Sequence, residues 1–492
     1  MSEFVPYFWE GEKQTPQGLR YRIRLAEHVL YAFDDNSTAG KMGKPETGHP
    51  ERKPEATMFS YSYLGGWHNE SASETPEATE RPVIFAYNGG PGAASAWLHM
   101  GLLGPELVDV EGYPDALERP AKYRLVSNPN FLLDRYDIVL IDPVGTGWAR
   151  LLDEEAASRH YSTAGDARDF ADFICTWLRE NNREKSPVYL LGESYGTIRN
   201  VALADVLPEN VDLQGIIHIG TSLNVGARTT LVVEPNVRRL GANAAVCWYH
   251  HHQNDCDRDT FVKDAMDFAY GDYAHALLMG NRLPAESRKS VLERLATFTG
   301  MDPGFLDEHK LRFGEVDFLL GCCPGAVVST YDARLLYRPN ASEKYSENTM
   351  ASAGIIEPDM KQDAFMAAVG PVYDQALAEY IARELCPPDR AMATDMMNIA
   401  LQWDYRGYEK DTLTLPVELM TRRPDVRMLF VNGYYDLQST FDFVTYYLSQ
   451  FDLPAERVRH AVLESGHASY VGEGMVEELA TELRAFIEQD PQ

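Results

Sequence analysis

Apolar and polar positions change rhythm three times along the chain. Tyr21 to Ala32 and Thr57 to Leu64 alternate, the period-two pattern of antiparallel strands with one face on a core. The stretches around them, Asn36 to Glu55 and His68 to Arg81, are rich in Gly, Pro, Thr and Glu and predict exposed loops. From Pro82 the pattern turns into short apolar runs separated by helical spacing. Pro82 to Tyr87, Tyr136 to Ile141, Val188 to Leu191 and Gly215 to Gly220 predict buried strands. Phe170, Phe173, Ile174, Trp177 and Leu178 predict one helix face between them, with Thr163 and Asp166 spaced as its N-terminal cap. Strands alternating with helices imply a mostly parallel sheet covered on both faces.

That rhythm then stops. From about Val225 to Asp404 the spacing is helical, clearest from Pro284 to Thr299, with Val291, Leu292, Leu295 and Phe298 inward and Gly300 as the stop. Strand runs resume at Arg427 to Val431 and Val458 to Leu463, and a closing helix carries Val476, Leu479, Leu483 and Ile487. The expected organisation is an α/β core formed by residues 1–224 and 405–492, interrupted by a helical cap at 225–404.

Val188 to Thr197, V-Y-L-L-G-E-S-Y-G-T, is the stretch around which chemistry can be built. A strand runs into Gly192-Glu193-Ser194-Tyr195-Gly196, and Ile198 to Leu207 follows as a helix closed by Pro208. This G-x-S-x-G form suits a nucleophile elbow. Glycines two positions either side let a serine occupy a sharp strand-to-helix turn, and the next amide, that of Tyr195, faces the carbonyl under attack. In a sheet of this kind the acid follows a late strand and the histidine the last one. Arg427 to Val431 leads into Asp436, and Val458 to Leu463 leads into His467, so Ser194, Asp436 and His467 form the candidate triad. Asn88-Gly89-Gly90-Pro91-Gly92 sits where a second oxyanion donor belongs, and the N–H of Gly90 is the candidate beside that of Tyr195.

Together these stretches, with Asp142-Pro-Val-Gly-Thr-Gly147 and Gly466-His467, resemble the serine carboxypeptidase family of α/β-hydrolases. Thr299-Gly300-Met301, Tyr331-Asp332-Ala333-Arg334 and Tyr470 are similar to its bacterial branch. The resemblance implies an α/β-hydrolase fold and removal of a peptide's C-terminal residue. It further implies that Asn88, the N–H of Gly89 and a protonated Glu193 hold the substrate carboxylate. The chain departs from that pattern where the family's tryptophan and second glutamate stand, at Ala86 and Leu102, and Ala93 replaces a cysteine. The expectation is therefore a serine exopeptidase of carboxypeptidase type, with a weaker grip on the substrate C-terminus and a more neutral pH optimum. The alternative is an esterase, acyltransferase or peptidase of other end-specificity using the same triad.

A charge of −29 repels phosphate backbones and anionic membranes, which argues against nucleic-acid or membrane partners and leaves a peptide or small acyl substrate. The start of the chain lacks a signal-peptide pattern, no run is long enough to span a bilayer, and the six cysteines are irregularly spaced. Free thiols in a cytoplasmic setting are expected. Cys247, His250, His251, His252 and Cys256 lie within ten residues, but three consecutive histidines cannot all face one ion, so an exposed polar segment is expected rather than a metal. Around Cys322-Cys323 nothing in the sequence argues for a lowered pKa. Gly145-Thr146-Gly147 lacks the rest of a dinucleotide fingerprint and reads as a turn. No cofactor or metal is required by this chemistry.

Overall fold

The structure, a computed structural model, describes residues 4–31, 53–65, 81–225, 235–339, 347–350, 355–358, 363–394, 396–405 and 407–488. The two loops expected before and after the second alternating stretch fall almost wholly outside these residues.

One large sheet organises the chain. Its main strands are β1 (Phe8–Gln14), β2 (Arg20–Tyr31), β3 (Pro54–Leu64), β4 (Val83–Tyr87), β5 (Asp137–Asp142), β6 (Val188–Glu193), β7 (Leu213–Ile219), β8 (Arg427–Gly433) and β9 (Val458–Leu463), and a two-residue strand, Arg150–Leu151, also pairs with β3. They lie side by side in the order β1-β2-β3-β5-β4-β6-β7-β8-β9. The first three are antiparallel and β3 meets β5 antiparallel, whereas every pair from β5 through β9 is parallel. This is the α/β-hydrolase fold. Alternation along the parallel strands assigns each face its own core. Ile84, Ile138, Leu191, Ile217 and Val431 face one side, and Val83, Val139, Leu190, Ile216 and Phe430 the other.

Helices α1 (Thr163–Glu180) and α2 (Tyr195–Val206) cover the second face. The α1 cap is Ser162, whose hydroxyl accepts from the Gly165 N–H, one residue before the expected Thr163. Asp166 is freed for another partner. Helix α2 starts three residues earlier than its hydrophobic pattern, at the residue after Ser194, because the elbow itself begins the first turn.

The segment between β7 and β8 contains α3 (Leu240–His251), α4 (Ala285–Thr299), α5 (Glu315–Gly321), α6 (Ala364–Glu384) and α7 (Leu415–Arg422). It also holds short hairpins, one pairing Val327–Val328 with Leu336–Tyr337, which the helical spacing gave no sign of. Helix α4 ends on Gly300 in the left-handed conformation (φ +68°), where a side chain is disfavoured. Residues from α3, α4 and α5 share a third apolar core with Tyr435, Leu437 and Phe441. Helix α6 instead packs into the first face together with the closing helix α8 (Met475–Glu488), and α7 into the second. No helix among the described residues is long and apolar enough to cross a membrane.

Candidate active site

Ser194 sits between β6 and α2 at φ 56° and ψ −123°, a backbone conformation that L residues rarely occupy. The flanking glycines make the turn possible. A Cβ on Gly192 would stand 2.1 Å from the Gly196 carbonyl oxygen, and one on Gly196 would stand 3.0 Å from that of Tyr87. The strained residue is held from several sides. Its N–H donates to the Ile219 carbonyl at 2.9 Å, and its own carbonyl accepts from the N–H (2.9 Å) and hydroxyl (2.8 Å) of Thr197.

Beneath the elbow lies Arg199, fully buried on α2. Its Nε donates to Asp166 at 2.7 Å and its Nη1 to the Asn88 carbonyl at 2.7 Å. The guanidinium also lies over the rings of Tyr87, Phe170 and Tyr195 at 5.2, 4.5 and 5.4 Å. One cation thus fixes the elbow helix, α1 and the loop after β4 together. Sequence reasoning missed it, since an arginine in a helix usually faces water.

Asp436 and His467 follow β8 and β9, whose carboxyl ends lie on the same sheet edge as the elbow. Asp436 is fully buried. One carboxylate oxygen accepts from the backbone N–H groups of Gln438 (2.8 Å) and Ser439 (2.9 Å), and the other meets His467 Nδ1 at 2.9 Å. That contact fixes which ring nitrogen meets the aspartate and holds the imidazole in one orientation. The ring also rests on Gly220, where a Cβ would come within 2.9 Å of Cε1 in a position with φ +59°. Gly220 directly follows Ile219, the residue that receives the Ser194 N–H, so serine and imidazole are referenced to the same strand end.

The insertion steadies the histidine loop. The Tyr331 carbonyl accepts from the His467 N–H at 2.6 Å, and the Tyr331 ring meets the imidazole edge-on at 5.6 Å. Asp332 pairs with Arg334 at 2.6 Å, and Arg334 reaches the Glu464 carbonyl at 3.0 Å. A Cβ on Gly466 would stand 2.4 Å from the Tyr331 carbonyl oxygen. The Tyr331-to-Arg334 motif therefore clamps the loop that carries His467.

The loop after β4 closes on the elbow from the other side. A Cβ on Gly89 would lie 2.4 Å from the Tyr195 nitrogen, so only a glycine fits there. Glu193, buried beside Ser194, accepts at Oε2 from Asn88 Nδ2 (2.9 Å) and from the Tyr470 hydroxyl (2.8 Å). Burial pushes its carboxyl up to about 7, against the opposing pull of His467 and of the Tyr470 and Asn88 hydrogen bonds. Tyr470 crosses Gly101 so closely that a Cβ there would be 2.2 Å from its ring, and Tyr373 lies beside it with ring centroids 6.2 Å apart. Leu102 and Ala86 are buried in the apolar core of that face. Glu193 thus has a phenol as its donor, where the resemblance implied a second carboxyl group.

A cavity of about 930 Å³ opens over these residues. Ser194, His467, Asn88, Gly89, Gly90, Glu193 and Tyr195 all line it, and Asp436 stands behind the imidazole. Its outer walls come from the insertion, including Arg239, Asn243, Phe313, Phe318 and Met366. Asp142 serves as a brace: burial raises its carboxyl to about 6, and it accepts from the Ser95 N–H (2.8 Å), the Ser95 hydroxyl (2.7 Å) and Tyr61 (3.1 Å).

Residues 63–217 match the model of the serine carboxypeptidase family, a span that includes the Asn88 loop and the elbow. Among solved structures the chain is similar to a peroxisomal alpha-beta-hydrolase from Saccharomyces cerevisiae at 10% identity and a TM-score of 0.40, covering 96% of this chain and 91% of that one. It is similar to a thermostable carboxyl esterase from Bacillus coagulans at 11% identity and a TM-score of 0.34, covering 94% and 97%. An Aspergillus niger epoxide hydrolase is matched at 10% identity and a TM-score of 0.35, covering 88% and 76%. No curated protein matches the sequence. The family match and the hydrolase fold support a serine hydrolase.

Proposed function

We propose that this chain is a serine exopeptidase of carboxypeptidase type, working through an acyl-enzyme on Ser194. In this reading His467 Nε2 takes the hydroxyl proton as Ser194 Oγ attacks the scissile carbonyl, then returns it to the departing amine. Asp436 holds the imidazole tautomer and stabilises its charged form. The N–H groups of Tyr195 and Gly90 receive the developing oxyanion. Water then repeats the sequence to release the acyl group.

The observation that carries the exopeptidase reading is the buried Glu193 beside the nucleophile, with a pKa raised to about 7. Both of its hydrogen bonds fall on Oε2, so in the acid form the proton belongs on Oε1 and is available to a substrate carboxylate. Asn88 and the N–H of Gly89 would complete that grip. Such a pKa supports binding near neutrality rather than only in acid. Six free cysteines support a reducing, cytoplasmic setting.

A second reading has its own support. The Tyr470 hydroxyl donates to Glu193, which favours the ionised form, and a carboxylate there would repel a free C-terminus. An esterase, acyltransferase or peptidase of other end-specificity would avoid that conflict. The experiment is to offer a blocked dipeptide as free acid and as C-terminal amide. A carboxypeptidase hydrolyses the acid at least about ten-fold better, equivalent to roughly 1.4 kcal/mol. Equal rates, or preference for the amide, would favour the second reading.

A further inference from the structure

Three thiols and an imidazole converge inside the insertion, outside the catalytic cavity. Cys247 and His251 are four residues apart on α3 and share one helix face. Cys322 and Cys323 directly follow α5. The end of α4 leaves room for them through Gly300, where a Cβ would lie 3.1 Å from the Cys322 carbonyl oxygen and 3.2 Å from His251 Cδ2. The ligand atoms of His251, Cys322 and Cys323 all lie within 4.8 Å of one another, with Cys323 Sγ 3.9 Å from His251 Nε2. The Cys322 thiol also meets Cys247, which stands outside that group of three and donates to the Thr297 carbonyl at 3.4 Å. The other members of the sequence cluster face elsewhere. His250 bonds the Ala333 carbonyl at 2.7 Å, His252 turns to Asp255 at 3.3 Å, and Cys256 is exposed.

We propose that Cys247, His251, Cys322 and Cys323 form a binding site for a thiophilic divalent metal ion of the zinc class. Three thiolates and one imidazole are a donor set for tetrahedral coordination, in which sulfur and nitrogen stand roughly 3.6 Å apart across the ion. The three cysteines are buried, which suits a structural site, and the exposed His251 closes it. Binding one ion releases the thiol protons. It also requires His251 to give up its 2.8 Å contact with the Cys322 carbonyl and present the Nε2 lone pair, and Cys247 to turn from the Thr297 carbonyl toward the other three donors. Between the two adjacent thiols, the shared hydrogen bond draws Cys323 below its ordinary value, contrary to the sequence expectation, and holds Cys322 well above its own. The ion would tie α3 to the end of α5. These helices supply Asn243 and residues 316–319 to the cavity wall, so metal would stiffen the substrate site without touching the reacting atoms.

The test uses the full chain, reduced and stripped by chelator, titrated with Co²⁺ alone and then Zn²⁺. The expected result is one equivalent of Co²⁺ with thiolate-to-metal charge-transfer and tetrahedral ligand-field bands, displaced by Zn²⁺. C322S/C323S should lose the bands, H251A should weaken uptake about ten-fold or more, and C256S should leave it unchanged. If the double variant fails to fold by circular dichroism, H251A and C247S carry the test separately. Absence of the bands, their persistence in C322S/C323S or C247S, or their loss in C256S would overturn the proposal.

Discussion

Glu193 offers the sharpest quantitative test, because its protonation should govern affinity for a free C-terminus. With a carboxyl pKa of about 7, the acid form dominates at pH 5, and each unit above 7 removes roughly ten-fold of it. The assay is kcat/KM for a blocked dipeptide acid divided by that for its amide, from pH 5 to pH 9. Requirements of the acyl-transfer chemistry that are common to the two substrates cancel in this ratio. The ratio should be flat in acid and fall about ten-fold per unit above pH 7, through KM while binding remains at equilibrium. The amide introduced by E193Q keeps a donor at every pH, so the ratio for that variant should stay flat. Tyr470 supplies the discriminating variant. Its hydroxyl donates to the ionised carboxyl, so Y470F removes something like 1.5–3 kcal/mol from the charged form and should move the midpoint up by about 1–2 units. A ratio independent of pH in the wild type, or a Y470F midpoint that moves down, would refute the reasoning.

Other variants probe the remaining parts. S194A should abolish fluorophosphonate labelling and lower kcat by about 10⁴-fold or more, and D436N should cost about 10⁴-fold with folding intact by circular dichroism, since it loses the acceptor for His467 Nδ1. G220A puts a methyl group 2.9 Å from His467 Cε1 at positive φ; kcat should fall about ten-fold or more while fluorescence-monitored unfolding changes by roughly 1–2 kcal/mol. R199A strands the buried Asp166 and should cost about 3–5 kcal/mol in urea unfolding, with a raised KM because the Asn88 carbonyl loses its donor. For stability against pH, Glu193 is raised from 4.5 to about 7 in the folded chain. Its contribution is full below pH 4.5 and is lost as pH rises to about 7, so E193Q should gain about 3 kcal/mol over wild type above pH 7 and little at pH 4.

The sequence by itself determined what steric rules and hydrophobic periodicity enforce over a few residues. The elbow is legible because Gly192 answers a clash with the Gly196 carbonyl of the same turn, and Gly300 because a left-handed helix stop suits glycine, whereas the need for Gly196 comes from the Tyr87 carbonyl on the neighbouring strand. Buried parallel strands announce themselves as unbroken apolar runs. Ser194 and Asp436 could be nominated because each follows such a run, and His467 because it follows the mixed stretch Val458 to Leu463, which forms the strand at the sheet edge. Strand β1, with the polar sequence FWEGEKQ at the sheet edge, carries no such signal. Periodicity names the face of a helix but not its partner, so nothing in the sequence separates α6, which joins the main core, from α3, α4 and α5, which build their own. Only the tertiary structure decided the electrostatics. Tyr470 reaches Glu193 across 277 residues and His251 reaches Cys322 across 71, and burial first, then the Asp436 charge, lifts the Glu193 carboxyl toward neutrality. A pKa depends on desolvation and on whichever dipoles and charges pack nearby, and those come from chain segments whose proximity no local pattern encodes.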